Sequence, residues 1–376
     1  MTDDFIPQTD PRASYLEQRA AIDAAVARVL AGGSYILGPE VEAFERAFAA
    51  YIGCRRAIGV ASGTDALTVA LRALSLGPED YVATVSHTAV ATVAAIELAG
   101  ARPLLVDIDP AAMTLDPAAL ARAFAAPPGR IAAIVPVHLY GQAADLDAIL
   151  ALARRHGARV VEDCAQCHGA TLGERRLGTF GDLAIFSFYP TKNLGAFGDA
   201  GMVVTNDEAL AAKVAALRQY GWGDRYVSDV PGLNSRLDPI QAAILAVKLE
   251  RLDADNARRQ AIAARYDEGL AGAGLALPAQ RAGASHVFHQ YVVRHSRRDA
   301  LREALRARGV GTLVHYPVPV HAQAAYRGRI AVAQGGLGES ERAAAQVLSL
   351  PIFPALGAAR ADRVVAMIDE SLRTLI

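Results

Sequence analysis

Cysteine is scarce in this chain, with three among 376 residues. Three is too few and too uneven for the disulfide frameworks that hold small exported domains together. Charge of one sign is missing as well. Lys and Arg total 38 against 39 Asp and Glu, a formal net charge of −1. The chain therefore has no electrostatic footprint of a nucleic-acid or membrane-surface partner. Apolar runs are broken by charge, glycine or proline well short of a membrane span, so no membrane association is expected. The opening "MTDDFIPQTDPRASY" is acidic and lacks the apolar core of a secretory signal, which makes a cytoplasmic protein the expectation. The nine histidines are scattered, with no H-E-x-x-H or close ligand spacing, and no metal is expected. Low-complexity segments and internal repeats are absent. The single tryptophan, Trp222 in "GWGDRY", suits either a substrate-facing loop or simple packing.

Hydrophobic residues make up 52% of the chain, enough for a large core and, at this length, for two domains. Helical and strand patterns alternate through the first two thirds. "TDALTVALRALSLG" predicts a helix closed by glycine, "YVATVS" a strand, "TAVATVAAIELAG" a helix and "RPLLVDID" a strand. "IAAIVPVHLYG", "ARVVED", "LAIFSF" and "GMVVTN" read as further strands, with "DLDAILALARRHG" as a helix. Short, continuously apolar strands between helices indicate a mostly parallel sheet covered on both faces. Such sheets bind ligands outside the carboxyl ends of their strands. From about residue 240 the character changes. "DPIQAAILAVKLERLDADNARRQAIAARYDEGLAG" predicts one long helix, "HQYVVRH" and "GTLVHYP" strands of a smaller α+β domain, and "RADRVVAMIDESLRTLI" a closing helix. The expected division is residues 1–240 and 241–376.

Several strand ends carry polar residues suited to one chemistry. "ARVVEDCAQCHG" ends a buried strand on Asp163, an expensive place for a carboxylate without partners. "IGVASGTDAL" sets Ser62, Gly63 and Thr64 where a strand turns into a helix, and free N–H groups at such a turn bind phosphate. "IFSF" ends with Ser187, five residues before Lys192, and "VPVHLYGQ" brings His138 and Tyr140 to another end. Taken singly, each feature has a plainer explanation: a solvated surface lysine, an N-cap, a turn aspartate. Taken in order, a phosphate cradle, a buried carboxylate and a lysine able to be held neutral are what pyridoxal 5′-phosphate requires.

"ASGTDAL", "VPVHLYGQAADLDAI", "VVEDCAQCHGA", "FSFYPTKNLGAFGDAGMVVTND" and "GLNSRLDPIQAAIL" occur in one order, and with them nearly the whole chain resembles the DegT/DnrJ/EryC1/StrS family of sugar aminotransferases. The resemblance implies an α/β fold-type I pyridoxal-phosphate transferase, with a mostly parallel seven-stranded sheet in the large domain and a smaller C-terminal α+β domain. It makes Lys192 the lysine that links to the cofactor and Asp163 the partner of the ring nitrogen. Gln166 falls near the phenolic oxygen. Ser62, Ser187 and the backbone of Gly63 and Thr64 fall at the phosphate. It further implies a homodimer with shared active sites, in which Asn234 of "NSR" reaches the partner's phosphate. Tyr35 in "GSYILGPE", with Tyr316 and His321 in "HYPVPVH", falls on the substrate side. One departure stands out: Ala89 in "SHTAVAT" occupies the place of an aromatic that stacks on the ring, and His87 is the candidate substitute.

The implied reaction moves an amino group from glutamate to a keto nucleotide sugar. Family members acting on carbon 4 commonly read T-G-E-G-G after the lysine, whereas this chain has Asp199 in "GAFGDAGMV". That form resembles members acting on 3-keto sugars, so a thymidine diphosphate-linked 3-keto-6-deoxyhexose is expected, with a 4-keto substrate as the alternative. A dehydratase of the same family typically carries His at the lysine position, and an inactive regulatory relative would not keep Lys192, Asp163, Ser187 and Asn234 together. "CAQCH" at 164–168 also fits the haem-attachment pattern C-x-x-C-H. It follows a buried strand, where Cys164 and Cys167 read as small apolar residues. Cys54 reads as core.

Overall fold

The computed structural model describes residues 5–375. Three helices come first: α1 (Pro11–Glu17), α2 (Arg19–Gly32) and α3 (Pro39–Ile52). The alternating region follows, with β1 (Arg56–Val60), α4 (Gly63–Ala73), β2 (Tyr81–Val85), α5 (Val90–Leu98), β3 (Arg102–Val106), α6 (Pro117–Ala125), β4 (Ile131–Ile134), α7 (Leu146–His156) and β5 (Arg159–Asp163). A small ribbon, β6 (Thr171–Leu172) and β7 (Arg175–Arg176), precedes β8 (Leu183–Ser187), β9 (Gly201–Thr205) and α8 (Glu208–Leu217). The hairpin β10 (Trp222–Asp224) and β11 (Val227–Ser228) leads to α9 (Pro239–Leu249) and α10 (Leu252–Gly269). The remainder comprises β12 (Tyr291–Arg294), α11 (Arg298–Ala307), β13 (Ala331–Val332), α12 (Gly338–Gln346), β14 (Val347–Leu350) and α13 (Gly357–Thr374).

Local chemistry sets the helix ends. The Asp145 carboxylate accepts from the Ala148 N–H at the start of α7, and Gly157, at φ 67°, closes it after Arg154, Arg155 and His156. Pro117 and Pro239 occupy first-turn positions that need no N–H donor.

The main sheet has the order β1-β9-β8-β5-β4-β2-β3-β13. Only β9 runs antiparallel to its neighbours β1 and β8. The carboxyl ends of β1, β2, β4, β5 and β8 therefore open on one edge, together with the loop that enters β9. Seven strands come from residues 56–205. The eighth, β13, is a two-residue strand from the last third that pairs with Leu104 and Leu105 of β3. It adds one strand to the seven expected.

Three further expectations are corrected. The predicted long helix over 238–272 is two helices, broken at Glu250–Arg251, where the Arg251 N–H bonds the Lys248 carbonyl in place of an i−4 partner. "GTLVHYP" is not a strand. Only Leu313 bridges, to Ser349, and the strand partner of β12 is β14. α4 stops at Ala73, before Gly77, where Leu74 bonds back to Leu71 and Ser75 takes a positive φ of 56°.

Apolar packing follows the same geometry. Ala242 and Leu245 of α9 join Phe44, Phe48, Phe186 and Phe188 in one cluster, while Ile6 packs with Tyr266, Tyr291, Leu301 and Leu348 in another. On that packing we propose a unit boundary at Glu250–Arg251, with the segment around Ile6 belonging to the second unit. Among the described residues, no helix is long and apolar enough to cross a membrane.

Candidate active site

The carboxyl ends of the strands enclose a cavity of about 240 Å³. Its first wall is the β1–α4 turn. Ser62 Oγ accepts from the Asp65 N–H at 3.1 Å and caps α4. The N–H groups of Gly63 and Thr64 then stand in the first turn, where a helix has no internal acceptors and its dipole favours an anion. The sequence makes this approach possible only with glycine. A Cβ on Gly63 would lie 2.5 Å from Ser187 Cβ, and one on Gly201 would lie 2.2 Å from the Ser62 carbonyl oxygen. β1, β8 and β9 are thereby drawn together around a cradle lined by Ser62, Gly63, Thr64 and Ser187.

Asp163 ends β5 and is 6% exposed. Its Oδ2 accepts from Thr92 Oγ1 and its Oδ1 from the Ala165 N–H, both at 3.1 Å. Burial nevertheless pushes its pKa up, against the pull of those donors and of Lys192. Desolvation outweighs the neighbouring cation and donors. Lys192 sits in the loop between β8 and β9, with its N–H bonded to the Tyr189 carbonyl at 2.8 Å. Burial lowers the ammonium pKa to about 8, with Asp163 opposing. An amine so placed has an accessible neutral, nucleophilic form near neutral pH.

Gln166 lines the same cavity. Its Oε1 accepts from the Tyr140 N–H at 2.8 Å, and its Nε2 donates to the Tyr316 hydroxyl at 3.2 Å. Asp199 lies exposed at the cavity mouth, just before β9. Thr88, Thr92 and Tyr189 also line the cavity and were not singled out from the sequence. Only the places of Thr88 in the β2–α5 connection and of Thr92 in the first turn of α5, just past a strand end, pointed to two of them.

Other candidates stand elsewhere. His87 does not line the cavity. It is wholly buried, and its Nε2 lies 2.7 Å from the Tyr140 hydroxyl. Thr88, Ala89 and Ala91 form that side of the cavity instead. The same three line an adjoining groove of about 670 Å³, whose far wall includes Tyr316, Val318 and Arg327. Tyr35 is exposed and its hydroxyl donates to the Leu30 carbonyl at 3.0 Å, away from the cavity. His321 lies behind β2, between Ser86 Oγ at 2.7 Å and Glu341 at 3.1 Å. Asn234 is exposed, outside the cavity of its own chain. Its neighbour Ser235 is fixed by donating to Asp65 at 2.6 Å, beside the α4 cradle.

Cys164 and Cys167 are buried, and burial raises both thiols. His168 is packed between Phe186 and Phe188, at centroid distances of 5.4 and 5.7 Å. No haem fits there. Cys54 is half-buried at the edge of the core rather than within it. His138, Glu162 and Cys164 approach one another as metal ligands would, but the lone pairs of His138 and Glu162 are committed. His138 Nδ1 accepts from the Ala144 N–H at 3.0 Å, so the proton is on Nε2, which donates to Glu162 at 3.2 Å. Glu162 also accepts from the N–H groups of Gly178, Phe180 and Gly181 at 2.7–2.9 Å. Those bonds hold its carboxyl low although burial alone would raise it.

A helix-end cradle, a buried aspartate and a lysine of lowered pKa on one edge of this sheet define the class of fold-type I pyridoxal-phosphate transferases. The chain belongs to the DegT/DnrJ/EryC1/StrS aminotransferase family, matching it over residues 17–369. It is 49% identical over 366 residues, 97% of this chain and 96% of the relative, to a dTDP-3-amino-3,4,6-trideoxy-alpha-D-glucose transaminase of Streptomyces venezuelae. S. venezuelae DesV, solved in complex with a ketimine intermediate, superposes with a TM-score of 0.94 at 49% identity, covering 98% of both chains. Bacillus subtilis ntda with bound cofactor PMP gives a TM-score of 0.87 at 31% identity, covering 95% of this chain and 82% of that one. The protein is thus an aminotransferase.

Proposed function

We propose that the protein binds pyridoxal 5′-phosphate and transfers an amino group from glutamate to a thymidine diphosphate-linked 3-keto-6-deoxyhexose. The observation that carries this reading is the convergence of the Gly63–Thr64 cradle, Asp163 and Lys192 on one cavity. The residues suit the cofactor: the N–H groups of Gly63 and Thr64 with Ser187 would hold its phosphate, Asp163 would offer a carboxylate to its ring nitrogen, and Lys192 offers an amine of depressed pKa. When bound, the cofactor supplies an electron sink. The chain's own residues hold it, keep water from the buried carboxylate, and move a proton at Lys192 Nζ.

The sugar is read from two features. The S. venezuelae relative is named for a 3-amino sugar, and Asp199 stands at the cavity mouth where a longer glutamate would reach further in. The groove beside Ala89 offers room for the nucleotide. Asn234, exposed outside its own cavity, supports a homodimer in which each chain completes the other's phosphate site. The balanced charge and the acidic opening segment suit a cytoplasmic enzyme. The test offers matched 3-keto and 4-keto nucleotide sugars with glutamate and identifies the amino sugar by NMR. Amination of the 3-keto substrate is expected; efficient amination of the 4-keto sugar alone would overturn the assignment of position.

A further inference from the structure

Tyr140 is a buried, non-glycine residue held at φ 63°, ψ −6°. A side chain in that region costs free energy, and surrounding contacts must fix it there. Four contacts do so. The Tyr140 N–H donates to Gln166 Oε1 at 2.8 Å, and its carbonyl accepts from the Gln290 N–H at 3.2 Å. The Tyr140 hydroxyl donates to the His315 carbonyl. That oxygen lies 2.7 Å from His87 Nε2. A carbonyl can only accept, so the Tyr140 proton is committed to His315, and His87 Nε2 must be the donor to the Tyr140 oxygen. His87 is then the Nε2–H tautomer, with Nδ1 a buried acceptor lacking a partner among the described residues.

The contacts form a closed circuit. Gln166, gripped by the Tyr140 backbone, donates to the Tyr316 hydroxyl at 3.2 Å. Tyr316 follows His315, which the Tyr140 hydroxyl holds. One residue thus fixes both ends of the Gln166–Tyr316 contact. Gln166 lines the cofactor cavity and Tyr316 the adjoining groove. The residue expected to stack, His87, instead anchors this circuit from the β2–α5 connection.

We propose that Tyr140 is a positioning residue: with His87 as its donor, it holds the 313–321 segment so that Tyr316 and Gln166 keep their register between cavity and groove. This rests on the proposed reading of the groove as the nucleotide-sugar site. The segment's other hydrogen bonds flank this point: Leu313 and the His315 imidazole, the latter at 2.8 Å, bond Ser349, and Val320 and His321 bond Ser86, while Pro317 and Val318 between them are exposed.

The test uses the full-length holoenzyme with Tyr140→Phe, Tyr316→Phe, the double variant and His87→Leu. Tyr140→Phe removes one hydroxyl and keeps the ring. Its KM for the keto nucleotide sugar should rise about fivefold to tenfold, the scale of one buried hydrogen bond. The glutamate half-reaction, followed by the cofactor absorbance, should change less than twofold. The double variant should be no worse than Tyr316→Phe by more than about twofold, because both lesions act through one contact. His87→Leu should move KM in the same direction. Hydrogen–deuterium exchange over 313–321 should rise in Tyr140→Phe, a readout needing no turnover. Unchanged exchange there, or independent additive effects in the double variant, overturns the positioning role. A wild-type protein that aminates no nucleotide sugar overturns the functional reading instead, while exchange still decides the role of Tyr140.

Discussion

Single residues decide whether the cavity can hold an anion and a charge on its floor. Gly63→Ala places a Cβ 2.5 Å from Ser187 Cβ, so the α4 turn or the end of β8 must move. The variant should lose about 1–3 kcal/mol of stability and bind pyridoxal phosphate at least tenfold more weakly, measured by denaturant titration and by cofactor titration of the apoprotein. Native affinity would show that the cradle is not where the phosphate sits. Asp163→Asn keeps the hydrogen-bonding shape but removes the charge proposed to face the ring nitrogen. Cofactor should stay bound while kcat falls by roughly 10²–10⁴, and an unchanged kcat would refute the role. Both residues were legible in the sequence because Asp163 ends a short apolar run and Gly63 opens the helix that follows another. The place of His87 was not. Its partner Tyr140 lies 53 residues away, and nothing in "SHTAVAT" indicates that the imidazole turns away from the cavity.

At the scale of elements, the loop bearing Lys192 depends on α9. Gln241 Oε1 accepts from the Phe197 N–H at 2.8 Å. Seven residues along the same helix, Lys248 donates to the Gly195 carbonyl and sets its ammonium 4.9 Å from the Phe197 ring centroid. Lys248 is 6% exposed, and burial lowers its pKa from 10.5 to about 8. The sign follows from proton counting: between pH 8 and 10.5 the unfolded chain binds more protons here than the folded one, so stability gains with rising pH. Relative to Lys248→Met, the wild type should therefore gain up to about 3 kcal/mol between pH 7 and 10. Denaturant titrations of both proteins across that range measure it, and parallel curves would contradict the buried charge. The sequence showed α9 clearly but not its end. "KLERLD" holds neither glycine nor proline, and the break at Glu250–Arg251 comes from packing, with α9 on α3 and α10 on α13. "GTLVHYP" misled for the same reason. An apolar run satisfies a strand pattern, yet here the place beside β12 is taken by β14.

Across the whole molecule, the proposed dimer makes a sharp prediction. Lys192→Ala and Asn234→Ala homodimers should each be impaired. A mixed dimer contains one cavity with both residues intact, so mixing the two should restore up to about half of the wild-type activity per mixed dimer. Verified mixed dimers without recovery would place Asn234 outside the partner's site. The mostly parallel sheet and the shared edge of its strand ends were legible, since short buried strands alternating with helices admit few architectures, but the order of the strands was not. The eighth strand was not, because two residues of "IAVAQ" carry no periodicity.

The most direct measurement uses another scarcity. The chain has only three lysines, Lys192, Lys213 and Lys248. Lys192 alone of these lines the cavity, Lys213 lies on α8 with its amine 3.5 Å from the Ala73 carbonyl oxygen, and Lys248 faces the Gly195 carbonyl. Borohydride reduction of the protein loaded with pyridoxal phosphate, followed by peptide mass mapping, should find the phosphopyridoxyl mass on the peptide containing Lys192 and on no other. Its appearance at Lys213 or Lys248, or its absence while the cofactor remains bound, would contradict the assignment of this cavity as the aminotransferase site.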